Sequence, residues 1–248
     1  MDSDILYNKI AVVAGGEGFL GKEFCKILNL NGAEVISCDL KSDSLQGCYR
    51  KYMGMDISCE ESVKQTVDNI MKQYGKINIF VNSAAINPQI IYRLIKFENY
   101  SLKDWTKTID VNLTGAFICC KEFGKVMKKG SIIVNIVSEL GLFASDQTIY
   151  EGAYIKPADY GVSKAGVINL TKYLASYWRD KIRINNLVLG SVFNNQSDIF
   201  VEQISKKIPL GRMANKDEYN EALLFLCSDR SSYMTGQNLV INGGRGIF

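Results

Sequence analysis

An alternation narrows the folds open to this chain more than anything else in it. Short runs rich in β-branched and aliphatic residues recur between longer helical stretches. The runs are KIAVVAG (9–15), EVISCD (34–39), KINIFVNSA (76–84), SIIVNIVS (131–138), IRINNLVLG (182–190) and QNLVING (237–243). A weaker one, YRKYMGMD (49–56), lies between the second and third. Helical stretches are expected near 20–31, 59–74, 101–128, 160–179 and 216–228. The apolar runs are continuous, which suits strands buried on both faces. Strands alternating with helices give a parallel sheet covered on both sides. The expectation is one α/β domain over residues 1–248, with a doubly wound, seven-stranded parallel sheet and helices on both faces.

The first run leads into AGGEGFLGKEF, in which Gly15, Gly16, Gly18 and Gly21 precede and open a helix with Phe19 and Leu20. Glycines there let the backbone turn sharply and approach a pyrophosphate, which meets the free N–H groups of the helix start. Following a first strand, this reads as the dinucleotide-binding turn of a Rossmann fold, the alternative being a plain glycine-rich strand–helix turn. Asp39 closes the second strand 18 residues after Gly21, where a carboxylate can bond the adenosine ribose hydroxyls. It would repel a 2′-phosphate, so NAD is expected over NADP, although Lys41 softens the repulsion. Asp56 has two readings: it bonds the adenine amino group, or it caps the helix that starts in SCEESV.

Composition excludes several other classes. Net charge is +3, and the most basic cluster, KVMKKG (125–130), reads as a solvated helix end, so no nucleic-acid partner is expected. No apolar run is long enough to span a membrane, and MDSDILYNK is not a secretory signal. The seven cysteines form no CxxC and there is no histidine, so no metal site is expected. Free thiols in a reducing cytoplasm are expected, with Cys119 and Cys120 in the core.

Without histidine, proton handling falls to other residues. In ADYGVSKAG (158–166), Tyr160 and Lys164 are spaced to share one helix face. A phenol titrates near pH 10, and a neighbouring ammonium favours its phenolate. Ser138 ends the run SIIVNIVS at the carboxyl edge of the sheet, where doubly wound folds bind ligands.

With these motifs the chain resembles the short-chain dehydrogenases/reductases over nearly its whole length. VNSAA (81–85), DVNLTGAF (110–117), IVNIVSELG, YGVSKAG, IRINNLVLG and residues 208–244 are similar to the family's segments in order. The resemblance implies that Tyr160 is the general acid/base and that Ser138 orients the substrate oxygen. Lys164 would bind the nicotinamide ribose and lower the Tyr160 pKa, and Asn112 would hold a water in the proton relay. Leu40, Ile57, Asn82, Ala84, Gly190 and Val192 would join the cofactor-binding set. A homodimer or homotetramer through the long helices, and a substrate lid at about 191–208, follow likewise. The pattern departs at Ala14 for Thr, at Phe19 where a glycine falls, at NSAA for NNAG, at Leu189 for Pro and at Asn242 for Asp. The glycine turn is also similar to that of the sugar-nucleotide branch, and to that of some bacterial relatives from flagellin-modification pathways.

The segment from Ser138 to Tyr160 is longer than is usual in the family. It carries Glu139, Asp146, Tyr150, Glu151 and Tyr154, which are expected to border a small-molecule substrate rich in hydroxyls. In the lid, Asn194, Asn195 and Gln196 add polar side chains. The leading expectation is an enzyme that interconverts a secondary alcohol and a ketone with NAD(P), on a sugar or similar polar molecule. A 3-oxoacyl thioester reductase, a non-catalytic nucleotide-binding sensor, and a sugar-nucleotide epimerase or dehydratase are the alternatives.

Overall fold

The computed structural model describes residues 5–41, 50–87, 96–150 and 154–247. Seven parallel strands among the described residues form one sheet: β1 (Ile10–Ala14), β2 (Glu34–Asp39), β3 (Arg50–Gly54), β4 (Ile79–Asn82), β5 (Ser131–Ser138), β6 (Ile182–Leu189) and β7 (Asn238–Ile241). Their order is β3-β2-β1-β4-β5-β6-β7. The chain winds outward from β1 to β3, then returns to lay β4 on the other side of β1. This reversal of winding leaves a crevice at the carboxyl ends of the strands, between β1 and β4.

Seven helices among the described residues cover the sheet: α1 (Phe19–Leu30), α2 (Glu60–Tyr74), α3 (Leu102–Ile109), α4 (Gly115–Val126), α5 (Ala158–Trp178), α6 (Asp198–Ser205) and α7 (Asn220–Cys227). Successive strand side chains point to opposite faces. In β1, Ile10, Val12 and Ala14 join the core beneath α2, α4 and α5, and Ala11 and Val13 join the core beneath α1 and α7. Continuous apolar strands are therefore needed, and β1 is buried at every position.

Three helix expectations need adjustment. The stretch 101–128 is not a single regular helix: α3 and α4 are joined by a π turn over Asp110–Thr114. α7 starts at Asn220 instead of 216 because Glu218 is used otherwise. Its carboxylate accepts from Asn215 N (2.8 Å) and pairs with Arg212 (2.6 Å), which closes a turn before the helix. α5 starts two residues earlier than expected, directly after Pro157, whose fixed φ of −60° sets the entry.

A buried polar chain crosses the sheet core. Asn82 donates to Asn135 Oδ1 (3.3 Å), Asn135 to Thr171 Oγ1 (3.0 Å), Thr171 to Asn186 Oδ1 (2.7 Å) and Asn186 to Asn238 Oδ1 (2.8 Å). It ties β4, β5, α5, β6 and β7 in register. The six described cysteines are all free thiols, and Cys119 and Cys120 are buried as expected; Cys48 lies outside the described residues. No helix among the described residues is long and apolar enough to cross a membrane, and no group of residues there fits a metal ion.

Candidate active site

The glycine turn sits at the carboxyl end of β1. Gly15 has φ +75°, and a Cβ there would lie 2.6 Å from Ala84 N, so the turn packs directly on the chain leaving β4. At Gly21 a Cβ would lie 2.0 Å from Gly15 O, so glycine alone lets α1 start against the turn itself. α1 has Gly18 at its cap, no side-chain cap and no acidic residue in its first turn. The N–H groups near Phe19, Leu20 and Gly21 thus meet no protein anion in that turn, which fits a pyrophosphate.

Asp39 reaches the same turn from β2. Its Oδ2 accepts from Glu17 N (3.1 Å) and its Oδ1 from Leu40 N (2.8 Å). Glu17 adds a second carboxylate, held by Ser37 Oγ at 2.5 Å. Sequence reading missed Glu17; the only signal was an acid inside the glycine turn. Asp56 does not cap α2, whose cap position is Cys59. It closes its own turn instead, with Oδ1 accepting from Ser58 N (2.9 Å) and Ser58 Oγ (2.6 Å). Ile57 is buried beside Gly115. Asn82 ends β4 with its Oδ1 buried and lacking a donor among the described residues, an acceptor that a bound group can satisfy. Gly190 pairs with Ile241 O (2.9 Å) at the end of β6, and Val192 bridges to Ala214. Helix-start donors, an acid at the end of β2 and a strand-end acceptor along one sheet edge fit a dinucleotide.

Ser138, Tyr160 and Lys164 meet at the end of β5, as expected. α5 packs on β5 and carries Tyr160 and Lys164 one turn apart. The Ser138 hydroxyl accepts from Leu140 N (3.2 Å) and bears on the Tyr160 phenol as a hydrogen-bond partner. Lys164 is buried, donates to Ile136 O (3.1 Å) and holds its Nζ 5.6 Å from the Tyr160 ring centre. Burial pushes this lysine down to about 8. The expected lowering of the Tyr160 pKa is reversed in this arrangement: burial pushes the phenol up to about 12, and the Ser138 hydrogen bond only opposes it. Lys164 directs a proton at the Ile136 carbonyl, so desolvation outweighs its proximity.

Asn112 occupies the π turn, a distortion that often marks functional sites. Its Oδ1 accepts from Ile86 N (2.8 Å), and its Nδ2 donates to Ile86 O (2.9 Å) and Ser163 Oγ (3.2 Å). The side chain clamps the segment after β4 to α5. The amide expected to hold a relay water is thus engaged at both ends by protein.

In the long segment before Tyr160, the acidic and aromatic side chains make contacts within the protein. Glu139 is buried and pairs with Arg245 at 2.5 Å, and Ser191 adds a bond at 3.3 Å. Asp146 accepts from Thr148 and pairs with Lys207 at 3.0 Å. These carboxylates brace the segment against the C-terminal turn and the chain after α6. Tyr150 meets Tyr154 with its ring tilted, at 4.9 Å between ring centres, and stacks on Phe200 of α6 at 5.5 Å. Glu151 lies outside the described residues. In the 191–208 stretch, which holds α6, Gln196 bonds Val192 O and Asn194 N, while Asn194 and Asn195 are exposed.

A dinucleotide crevice beside a serine, a tyrosine and a buried lysine defines a nicotinamide-dependent oxidoreductase. The comparisons agree. The family model described as Enoyl-(Acyl carrier protein) reductase matches residues 16–245. The chain belongs to the short-chain dehydrogenase/reductase family, whose members are oxidoreductases working with NAD or NADP. It is 31% identical to the post-translational flagellin modification protein A of Campylobacter coli, over 98% of this chain and 100% of that one. It is also 31% identical to the D-threitol dehydrogenase of Mycolicibacterium smegmatis, over 96% and 93%. An uncharacterized short-chain type dehydrogenase/reductase, y4vI, of Sinorhizobium fredii is 31% identical over 98% of this chain, which spans only 44% of it. A short chain dehydrogenase from Leptospira borgpetersenii, solved with bound NAD+, superposes with a TM-score of 0.86 at 31% identity, covering 96% of this chain and 92% of that one.

Proposed function

We propose that the protein interconverts a secondary alcohol and a ketone on a sugar or polyol, with NAD preferred over NADP. The convergence of Ser138, Tyr160 and Lys164 at the end of β5 carries this reading. In it, Ser138 holds the substrate oxygen. Tyr160 takes the hydroxyl proton on oxidation and returns it on reduction. Lys164 holds the nicotinamide ribose and supports the phenolate. A bound nicotinamide supplies or accepts the hydride. The NAD preference rests on the carboxylates of Asp39 and Glu17 beside the glycine turn, which repel a 2′-phosphate. The polyol assignment draws on the likeness to a D-threitol dehydrogenase and on the exposed amides of Asn194 and Asn195. We place the chain in the cytoplasm and expect a second copy to cover the exposed Phe117, Tyr173 and Tyr177 of α4 and α5.

The test is nicotinamide absorbance against polyols, sugars, ketones and a 3-oxoacyl thioester, with each cofactor, on the wild type and Tyr160→Phe. Polyol turnover with NAD that falls by about 10²–10⁴-fold in Tyr160→Phe, with NADH binding retained, is expected. Turnover of the thioester alone would replace the polyol reading. Full activity in Tyr160→Phe would refute the proton role.

A further inference from the structure

Lys156 lies four residues before Tyr160, outside the tyrosine–lysine motif. Only 6% of it is exposed. Its Nζ lies 5.0 Å from the centre of the Tyr160 ring, nearer than Lys164 at 5.6 Å. The placement is built in several ways. Gln147 clamps the backbone from both sides, accepting from Lys156 N (2.9 Å) and donating to Lys156 O (3.1 Å). Pro157 follows and fixes the entry to α5. The ammonium donates to the neutral amide of Asn87.

No carboxylate pairs with it among the described residues. Asp159, the acid nearest in sequence, accepts from Tyr100 Oη (2.6 Å) and Tyr160 N (2.7 Å), and acts on Lys156 only at longer range. A buried ammonium facing an aromatic ring and a neutral amide is costly unless it serves a charge. Tyr160 is the group beside it that can acquire a negative one.

Building on the proposed acid–base role of Tyr160, we infer that Lys156 is a second electrostatic support of the Tyr160 phenolate, a positioning residue acting jointly with Lys164. Ser138 contributes a hydrogen bond from β5, and Asp159 is the opposing charge on α5. Burial favours the neutral phenol, and a second cation beside the ring offsets part of the cost of ionising it. Burial also pushes Lys156 down to about 8, so its support is present at neutral pH and fades above it. An alternative use, anchoring an anionic substrate, is less favoured because the ammonium is enclosed and already bonded to Asn87.

The test places difluorotyrosine at position 160, where its more acidic phenol titrates while the protein is folded, and reads it by fluorine NMR. No substrate is required. Lys156→Met is expected to raise that pKa by about two pH units, from one charge at about 5–7 Å in an effective dielectric near 20. Lys156→Arg, which keeps the charge, is expected to restore most of the shift. A folded Lys156→Met protein with an unmoved phenol overturns the inference. So does a large rise in substrate KM with the phenol unmoved, which would assign the ammonium to the substrate. A moved phenol in a protein that turns over no alcohol would instead count against the proposed function and leave the electrostatic role standing.

Discussion

Gly15→Ala and Gly75→Ala test whether the glycine turn is held by close packing or only by its left-handed backbone. The two glycines share nearly the same φ, +75° and +70°. An alanine at either position adopts a left-handed φ at a cost of roughly 1 kcal/mol. Their surroundings differ. At Gly75, which ends α2, an added Cβ meets nothing within 4 Å. At Gly15 it meets Ala84 N at 2.6 Å, Ala84 Cα at 2.7 Å and the Ser83 carbonyl carbon at 2.9 Å. All three are backbone atoms at the end of β4, so no side chain can swing away. Relief requires the strand end to move, and overpacking of that kind costs about 1–3 kcal/mol more. Gly75→Ala should lower Tm by about 2–4 °C, and Gly15→Ala by roughly two to four times as much. Thermal unfolding by circular dichroism measures these shifts, and NADH fluorescence titration measures the effect on binding. NADH affinity should fall at least about tenfold in Gly15→Ala, some 1.4 kcal/mol, and stay unchanged in Gly75→Ala. Equal losses of Tm and affinity in the two variants would refute the close-packing argument.

Other outcomes follow from buried groups. Asn135→Ala removes the link between Asn82 and Thr171, and should cost about 2–4 kcal/mol in urea unfolding, because buried partners are left unpaired. Lys164 titrates near 8 in the fold against an ordinary 10.5, so between those values the unfolded state binds the extra proton. Relative to Lys164→Met, the wild type should therefore gain stability as pH rises from 8 to 10.5, by on the order of 3 kcal/mol. A difference flat with pH in urea unfolding would show that the lysine is not desolvated. Asp39→Asn should narrow the preference for NAD over NADP about tenfold, some 1.4 kcal/mol, read as the ratio of the two kcat/KM values. An unchanged ratio would remove Asp39 from the discrimination.

Local chemistry made much of the fold legible. Continuous apolar runs such as IAVVA and IIVNIVS, alternating with helical stretches, suit a covered parallel sheet, and all seven expected strands are present. The helix breaks were less legible. Nothing in DVNLT announces a π turn, because the distortion lets Asn112 grip Ile86, and that partner is 26 residues away. The C-terminal helix start depended on Glu218 being drawn to Arg212 and Asn215. Acids in the segment after Ser138 looked available because their cationic partners are distant: Arg245 lies 106 residues from Glu139.

The order of strands and helices, the glycine turn after β1, the acid at the end of β2 and the serine–tyrosine–lysine trio are all written in the chain. Each rests on spacing within one element or on the turn joining two, and short-range sterics and hydrogen bonding enforce such spacing. Which charges remain free and which are consumed was settled by long-range packing. Packing placed Glu17 beside Asp39, tied Glu139 to Arg245, and brought Lys156 over the ring of Tyr160. The i, i+4 rule does not reach Lys156, because α5 begins at Ala158 and the residue is held by Gln147 and Asn87 instead. Burial then set the proton affinities of Tyr160 and its two lysines, since the cost of desolvating a charge depends on everything packed around it.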